Sequence, residues 1–141
     1  MRVRTFIMAG AVAAGLIGSA VAADADTGPA REATQYVAEF EVSGEHYKVR
    51  LTDQKDIDDA RALLDSDNPG SLTPNGKFLW GVVDVNAPYN WSIDPDVFSF
   101  TDAAPEGCDG RPSWVDGPDW GHGGWFCPWD AVILSLDPIT N

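Results

Sequence analysis

The sequence predicts an α+β domain, in which one helix packs on an antiparallel sheet of four or five strands beside a disulfide-tied irregular loop region. Three observations carry that prediction. Apolar and polar residues alternate over 36–51, and the apolar period lengthens to that of a helix over 53–64. Two cysteines then bracket a stretch rich in glycine and tryptophan.

The chain opens with the basic segment "MRVRT", followed by the uncharged run "FIMAGAVAAGLIGSAVA", which ends in small residues. A positive start, an apolar centre and an A-x-A ending predict a secretory signal peptide over 1–22. No cysteine stands at the cleavage point to carry a lipid, and Val3 separates Arg2 from Arg4, so the twin-arginine pattern is absent. The expected location is secreted, with no stable membrane insertion after cleavage. Residues 23–34 carry small, charged and turn-forming side chains without apolar period and read as a flexible leader. Residues 35–141 are then a single domain.

Within that domain, "QYVAEFEVSGEHYKVRLT" holds two alternating runs around Ser43, Gly44 and Glu45. Such a pair predicts a β-hairpin, with Glu39 and Glu41 set against Lys48 and Arg50 on its polar face. In "LTDQKDIDDARALLD" the spacing of Ile57, Ala60, Leu63 and Leu64 marks one face of a helix. Thr52 or Asp53 caps its start, and it stops near Asp65, where turn formers and two prolines begin a surface loop. "KFLWGVVDV" predicts a central strand with Gly81 inside it, and "NAPYN" a turn. "WSIDPDVFSFTD" predicts a further strand entered through Pro95. From Ala103 the chain is nearly all turn chemistry until "WDAVILSLD", a closing strand.

The net charge is −13, and becomes −15 once Arg2 and Arg4 leave with the signal. A surface this acidic repels phosphates and anionic lipid, which excludes a nucleic-acid partner. In an exported chain Cys108 and Cys127 predict one disulfide, since a metal site wants closer cysteine or histidine spacing.

Three constellations bear on function. Trp114, Trp120, Trp125, Phe126 and Trp129 cluster among glycines, either as a small core around the disulfide or as a surface for stacking sugars and apolar side chains. Asp94, Asp96, Asp102, Glu106 and Asp109 supply oxygen ligands that calcium favours, without the spacing of an EF-hand. His46 and His122 are the only histidines. His46 reads as a strand-surface residue, whereas Asp119 stands three before His122 and would orient it as a base. No serine or cysteine sits in a nucleophile context.

The segments "FEVSGEHYKVRLTDQKDIDDARALL", "GVVDVNAPYNWSIDPDVFSF", "CD" and "WFCPWD" together resemble the N-terminal domain of a slime-mould calmodulin-binding protein and its secreted bacterial homologues. The matching positions run from Phe40 through Leu51, Thr52, Asp53, Ile57, Ala60 and Arg61. They continue through Ala87–Ser92 and Asp94–Asp96 to Cys108, Asp109 and Cys127–Trp129. Gln54 departs from the family's proline, the segment between Trp91 and Asp94 is short, and the stretch between the cysteines is rich in glycine, tryptophan and aspartate. The resemblance implies a calmodulin-binding label. Calmodulin's targets are basic amphipathic helices, whereas the helix here and its flanks carry Asp53, Asp56, Asp58, Asp59 and Asp65.

The reading that follows is a secreted, non-catalytic binding module for a glycan, a cationic peptide or a protein. Its surface draws on Trp91, Asp94, Asp96, Trp114, Asp119, Trp120, His122 and Trp125. The alternatives are a secreted hydrolase using His122 with nearby acids, and a calcium-dependent adhesion protein.

Overall fold

Alternation over 36–51 becomes the hairpin it predicts. Strands β1 (Tyr36–Val42) and β2 (Glu45–Leu51) pair antiparallel, with Tyr36 opposite Leu51 and Val42 opposite Glu45. The two-residue turn has positive φ at Ser43 (50°) and Gly44 (84°), the twist that suits a tight hairpin. Ala38, Phe40 and Val42 are buried together with Tyr47, Val49 and Leu51. On the other face Glu39 meets Lys48 at 3.5 Å and His46 at 2.9 Å. Arg50 departs from the predicted pairing. It lies opposite Val37 and grips Asp84, with Nε 2.9 Å from Oδ2 and Nη2 2.5 Å from Oδ1, while Glu41 lies opposite His46.

The structure, a computed structural model, describes residues 35–67, 69–117, 120 and 124–140. The predicted signal and leader, together with Asp119 and His122, lie outside the described residues.

Helix α1 (Gln54–Leu64) starts at Asp53, whose side chain accepts a hydrogen bond from the Lys55 N–H at 2.8 Å, and ends at Asp65. Ile57, Ala60 and Leu63 are buried, while Leu64 sits at the edge of that face and is exposed. Asp56 is also buried. Burial and the neighbouring Asp53 push its carboxyl up from the usual range, and a hydrogen bond from the Phe100 backbone partly offsets them.

Strand β3 (Thr73–Trp80) begins four residues before the predicted strand and stops before Gly81. Gly81 has φ 72°, so it turns the chain out of the strand, and its N–H donates to the Asn90 carbonyl. Val82 and Val83 are consequently exposed loop residues. The predicted strand over 91–102 is two strands, β4 (Trp91–Ile93) and β5 (Ser99–Thr101). Asp94 makes the break: its side chain accepts from the Asp96 N–H and its carbonyl from the Val97 N–H, around a proline with no donor. Beyond β5 come a 3-10 turn (Glu106–Cys108) and the short helix α2 (Pro112–Val115). Strands β6 (Trp125–Phe126) and β7 (Val132–Pro138) follow.

The strands divide between two antiparallel sheets. One has the order β2-β1-β7; in the other β3 is central, pairing with β4, β5 and β6 along successive parts of its length. The helix α1 lies against β2, β5 and β7. Side chains of both sheets meet in one core rich in rings, where Tyr47 stands 5.2 Å from Phe126 and Phe78 stands 5.3 Å from Trp91. Buried Asn86 joins the sheets: its Oδ1 accepts from the Lys48 N–H of β2 at 2.7 Å, and its Nδ2 donates to the Trp91 carbonyl of β4 at 3.0 Å.

Candidate functional site

The Cys108–Cys127 disulfide forms as predicted, with Cα atoms 5.1 Å apart, and the Cys127 N–H donates to the Cys108 carbonyl. It holds the 3-10 turn against the segment that carries β6. The tryptophans around it divide by strand alternation and loop direction. Trp91, at β4, is fully buried, so it belongs to the core and not to the predicted surface. Trp120 is half-buried and packs its ring 5.8 Å from Phe126 and 6.1 Å from Phe78. Trp114 (56% exposed), Trp129 (46%) and Trp125 (37%) face solvent. The aromatic cluster is therefore divided, with some rings in the core and others at the surface.

Two clefts flank the disulfide. The first, about 240 Å³, is lined by Trp114 and Trp129 together with Asp109, Arg111, Asp130 and Ser43. Each wall has a cause. The Pro112 ring suits the first turn of α2, and Glu45 of β2 fixes that turn by accepting from both the N–H and the hydroxyl of Ser113, each at 2.8 Å. Trp114 follows directly. Asp109 accepts from the Trp129 N–H at 2.8 Å, and Asp130 accepts from the Ser43 hydroxyl at 2.6 Å. Those bonds tie the hairpin turn, the residue after Cys108 and the segment after Cys127 into one rim. Among the described residues neither carboxylate is ion-paired. The Arg111 guanidinium lies 5.7 Å from the centre of the Trp114 ring. Gly110 lies under the same wall, where a Cβ would come within 2.6 Å of the Trp120 ring and 3.1 Å of Trp114.

The second cleft, about 410 Å³, is lined by Asn75, Pro105, Gly107, Cys108 and Trp125. Register explains it. Pro74, Gly76 and Phe78 of β3 point into the core, so Asn75 and Lys77 point outward, and Lys77 is directly opposite Trp125 of β6.

Of the predicted acids, Asp109 lines the first cleft, whereas Asp94 and Asp96 line neither. Asp94 and Asp96 form the turn between β4 and β5. Among the described residues no group of three or more histidine, cysteine or acidic side chains could hold a metal ion, and Asp94, Asp96, Asp102, Glu106 and Asp109 form no such group. His46 is exposed and hydrogen-bonded to Glu39, whose carboxyl is held below its usual range chiefly by that contact. Sequence reasoning leaves out Trp129 and Asn75 as site residues. Trp129 is recognisable by its place just past Cys127 and Pro128, whereas Asn75 lies in a stretch with the composition of a loop.

Fold and clefts define a small two-sheet α+β domain with a disulfide-anchored aromatic surface. The chain belongs to the family defined by the N-terminal domain of a calmodulin-binding protein, and the family model matches residues 33–140. Searches of curated proteins and of solved structures found no match. Among the described residues no helix is long and apolar enough to cross a membrane.

Proposed function

We propose that this protein is an exported, non-catalytic binding module that takes a cationic peptide or the basic surface of a protein in the Trp114–Trp129 cleft. The observation that carries this reading is the juxtaposition of two exposed indoles with two carboxylates that have no cationic partner among the described residues. An indole face attracts a cation, more strongly as water is excluded. The contact of Arg111 with Trp114 supports this, because it is the same interaction made within the chain. Asp109 and Asp130 each use one oxygen in the hydrogen bonds described above, which leaves the other for an incoming ammonium or guanidinium. The net charge of −13 adds long-range attraction for a basic partner and opposes an acidic one such as calmodulin. Export is supported by the basic and apolar opening of the sequence and by the disulfide.

Titration of the protein with an arginine- and lysine-rich peptide, followed by tryptophan fluorescence, tests the reading. Saturable binding that weakens with salt, persists in chelator and falls about tenfold in Trp129→Ala is expected. Binding that is indifferent to both Trp129→Ala and Trp114→Ala overturns it.

A further inference from the structure

The second cleft has a different chemistry. Its lining includes the exposed Trp125 indole and Pro105, at the disulfide end of the domain. At its base the Asn75 carboxamide oxygen is buried and has no hydrogen-bond partner. An orphaned buried acceptor costs stability unless something donates to it. Two positions along β3, Lys77 stands opposite Trp125, and no carboxylate among the described residues pairs with it. Lys48, Arg50, Lys55 and Arg61 are each ion-paired, and Arg111 lies over Trp114, so Lys77 is the cation left to this side of the sheet.

An indole wall, a buried acceptor and an uncommitted donor on one sheet face match the needs of a pyranose ring. Such a ring has a flat C–H face that stacks on an aromatic and hydroxyls that both donate and accept. We infer that the Trp125 cleft is a second binding site, separate from the Trp114–Trp129 cleft, and that it takes a neutral sugar. The sugar's C–H face lies on Trp125, one hydroxyl donates to Asn75 Oδ1, and another accepts from the Lys77 ammonium. Neutrality follows from the net charge of −13, which disfavours an acidic sugar more than one lysine favours it.

The test is isothermal titration and tryptophan fluorescence with cellotriose, maltotriose, chitotriose and a trisaccharide containing glucuronate. At least one neutral trisaccharide is expected to saturate at millimolar concentration with a change in emission, and the acidic one to bind more weakly. Trp125→Ala and Asn75→Ala should each weaken binding about tenfold or more, and Lys77→Met should do so without altering the fold. Trp129→Ala should leave sugar binding unchanged, which separates this site from the cationic one. Circular dichroism melts of each variant guard against simple unfolding. Failure of all three neutral sugars to saturate, or binding untouched by both Trp125→Ala and Lys77→Met, overturns the inference.

Discussion

The carboxylate of Glu45 holds Ser113 at two points, accepting from its backbone N–H and from its hydroxyl at 2.8 Å each. The pair joins the first residue of β2 to the first turn of α2, 68 positions along the chain. Because α2 has only four residues, it cannot hold its own shape, and this contact sets the direction of Trp114.

Removing that contact should loosen the wall of the first cleft. Glu45→Ala is expected to lower the stability measured by urea denaturation by about 1 kcal/mol. Acrylamide quenching of the tryptophan emission should rise as Trp114 becomes mobile. Unchanged quenching would mean that Trp114 is placed by its contact with Gly110 instead.

The division of the tryptophans between core and surface predicts opposite responses to truncation. Trp91→Ala empties a fully buried site among Tyr47, Phe78, Tyr89 and Phe126 and should cost about 3–5 kcal/mol. Trp129→Ala removes an exposed ring and should change stability by no more than about 0.5 kcal/mol. Chemical denaturation of both variants measures the contrast.

The disulfide spans 19 positions and encloses both α2 and β6. Replacing Cys108 and Cys127 together by serine should destabilise the domain by about 3 kcal/mol, the loop-closure entropy returned to the unfolded chain. Both clefts should lose affinity together, because each is built against one of the linked segments. Melting and peptide titration of the double variant test this.

Two carboxylates, one exposed and one buried, respond to pH in opposite senses. Arg50 holds the Asp84 carboxyl below its usual range, against the opposing effect of burial. That pair therefore stabilises above the unfolded carboxyl value of about 4, and the contribution is lost as pH falls through the lower folded value. Asp84→Asn, which tolerates the positive φ of 40° there, should lower the melting temperature at neutral pH and have little effect in acid. Asp56 is raised, chiefly by burial, so its contribution is present below the unfolded value and lost as pH rises through the folded one. Asp56→Asn keeps an acceptor for the Phe100 N–H and should raise the melting temperature at neutral pH. Melting curves of the two variants from acid to neutral pH should diverge in opposite directions.

The hairpin, the span of α1 and the disulfide are legible in the sequence because each rests on neighbours along the chain: alternation, a 3.6-residue period with Asp53 ahead of it, and an even cysteine pair. The central strand starts earlier than predicted because its first half, "TPNG", has turn chemistry. Pro74 and Gly76 stand in β3 because pairing with β5 and β6 outweighs local preference, and at Gly76 a Cβ would collide with the Ile93 side chain. The long strand expected over 91–102 is divided because the side chain of Asp94 satisfies the backbone of the turn locally.

By itself the sequence determined the fold class, the family, the charge and the fact that tryptophans would gather near the disulfide. Only the tertiary structure decided which of them face water. Trp125 and Phe126 are adjacent and both aromatic, yet one lines a cleft and the other is buried, because pairing of β6 with β3 settles which side of the sheet each takes. Likewise Asn86, one letter of a turn, clasps two sheets through partners 38 and 5 positions away. Local sequence encodes period and turn. The side of a sheet that a residue occupies depends on register, and register is set by contacts between segments distant in the chain.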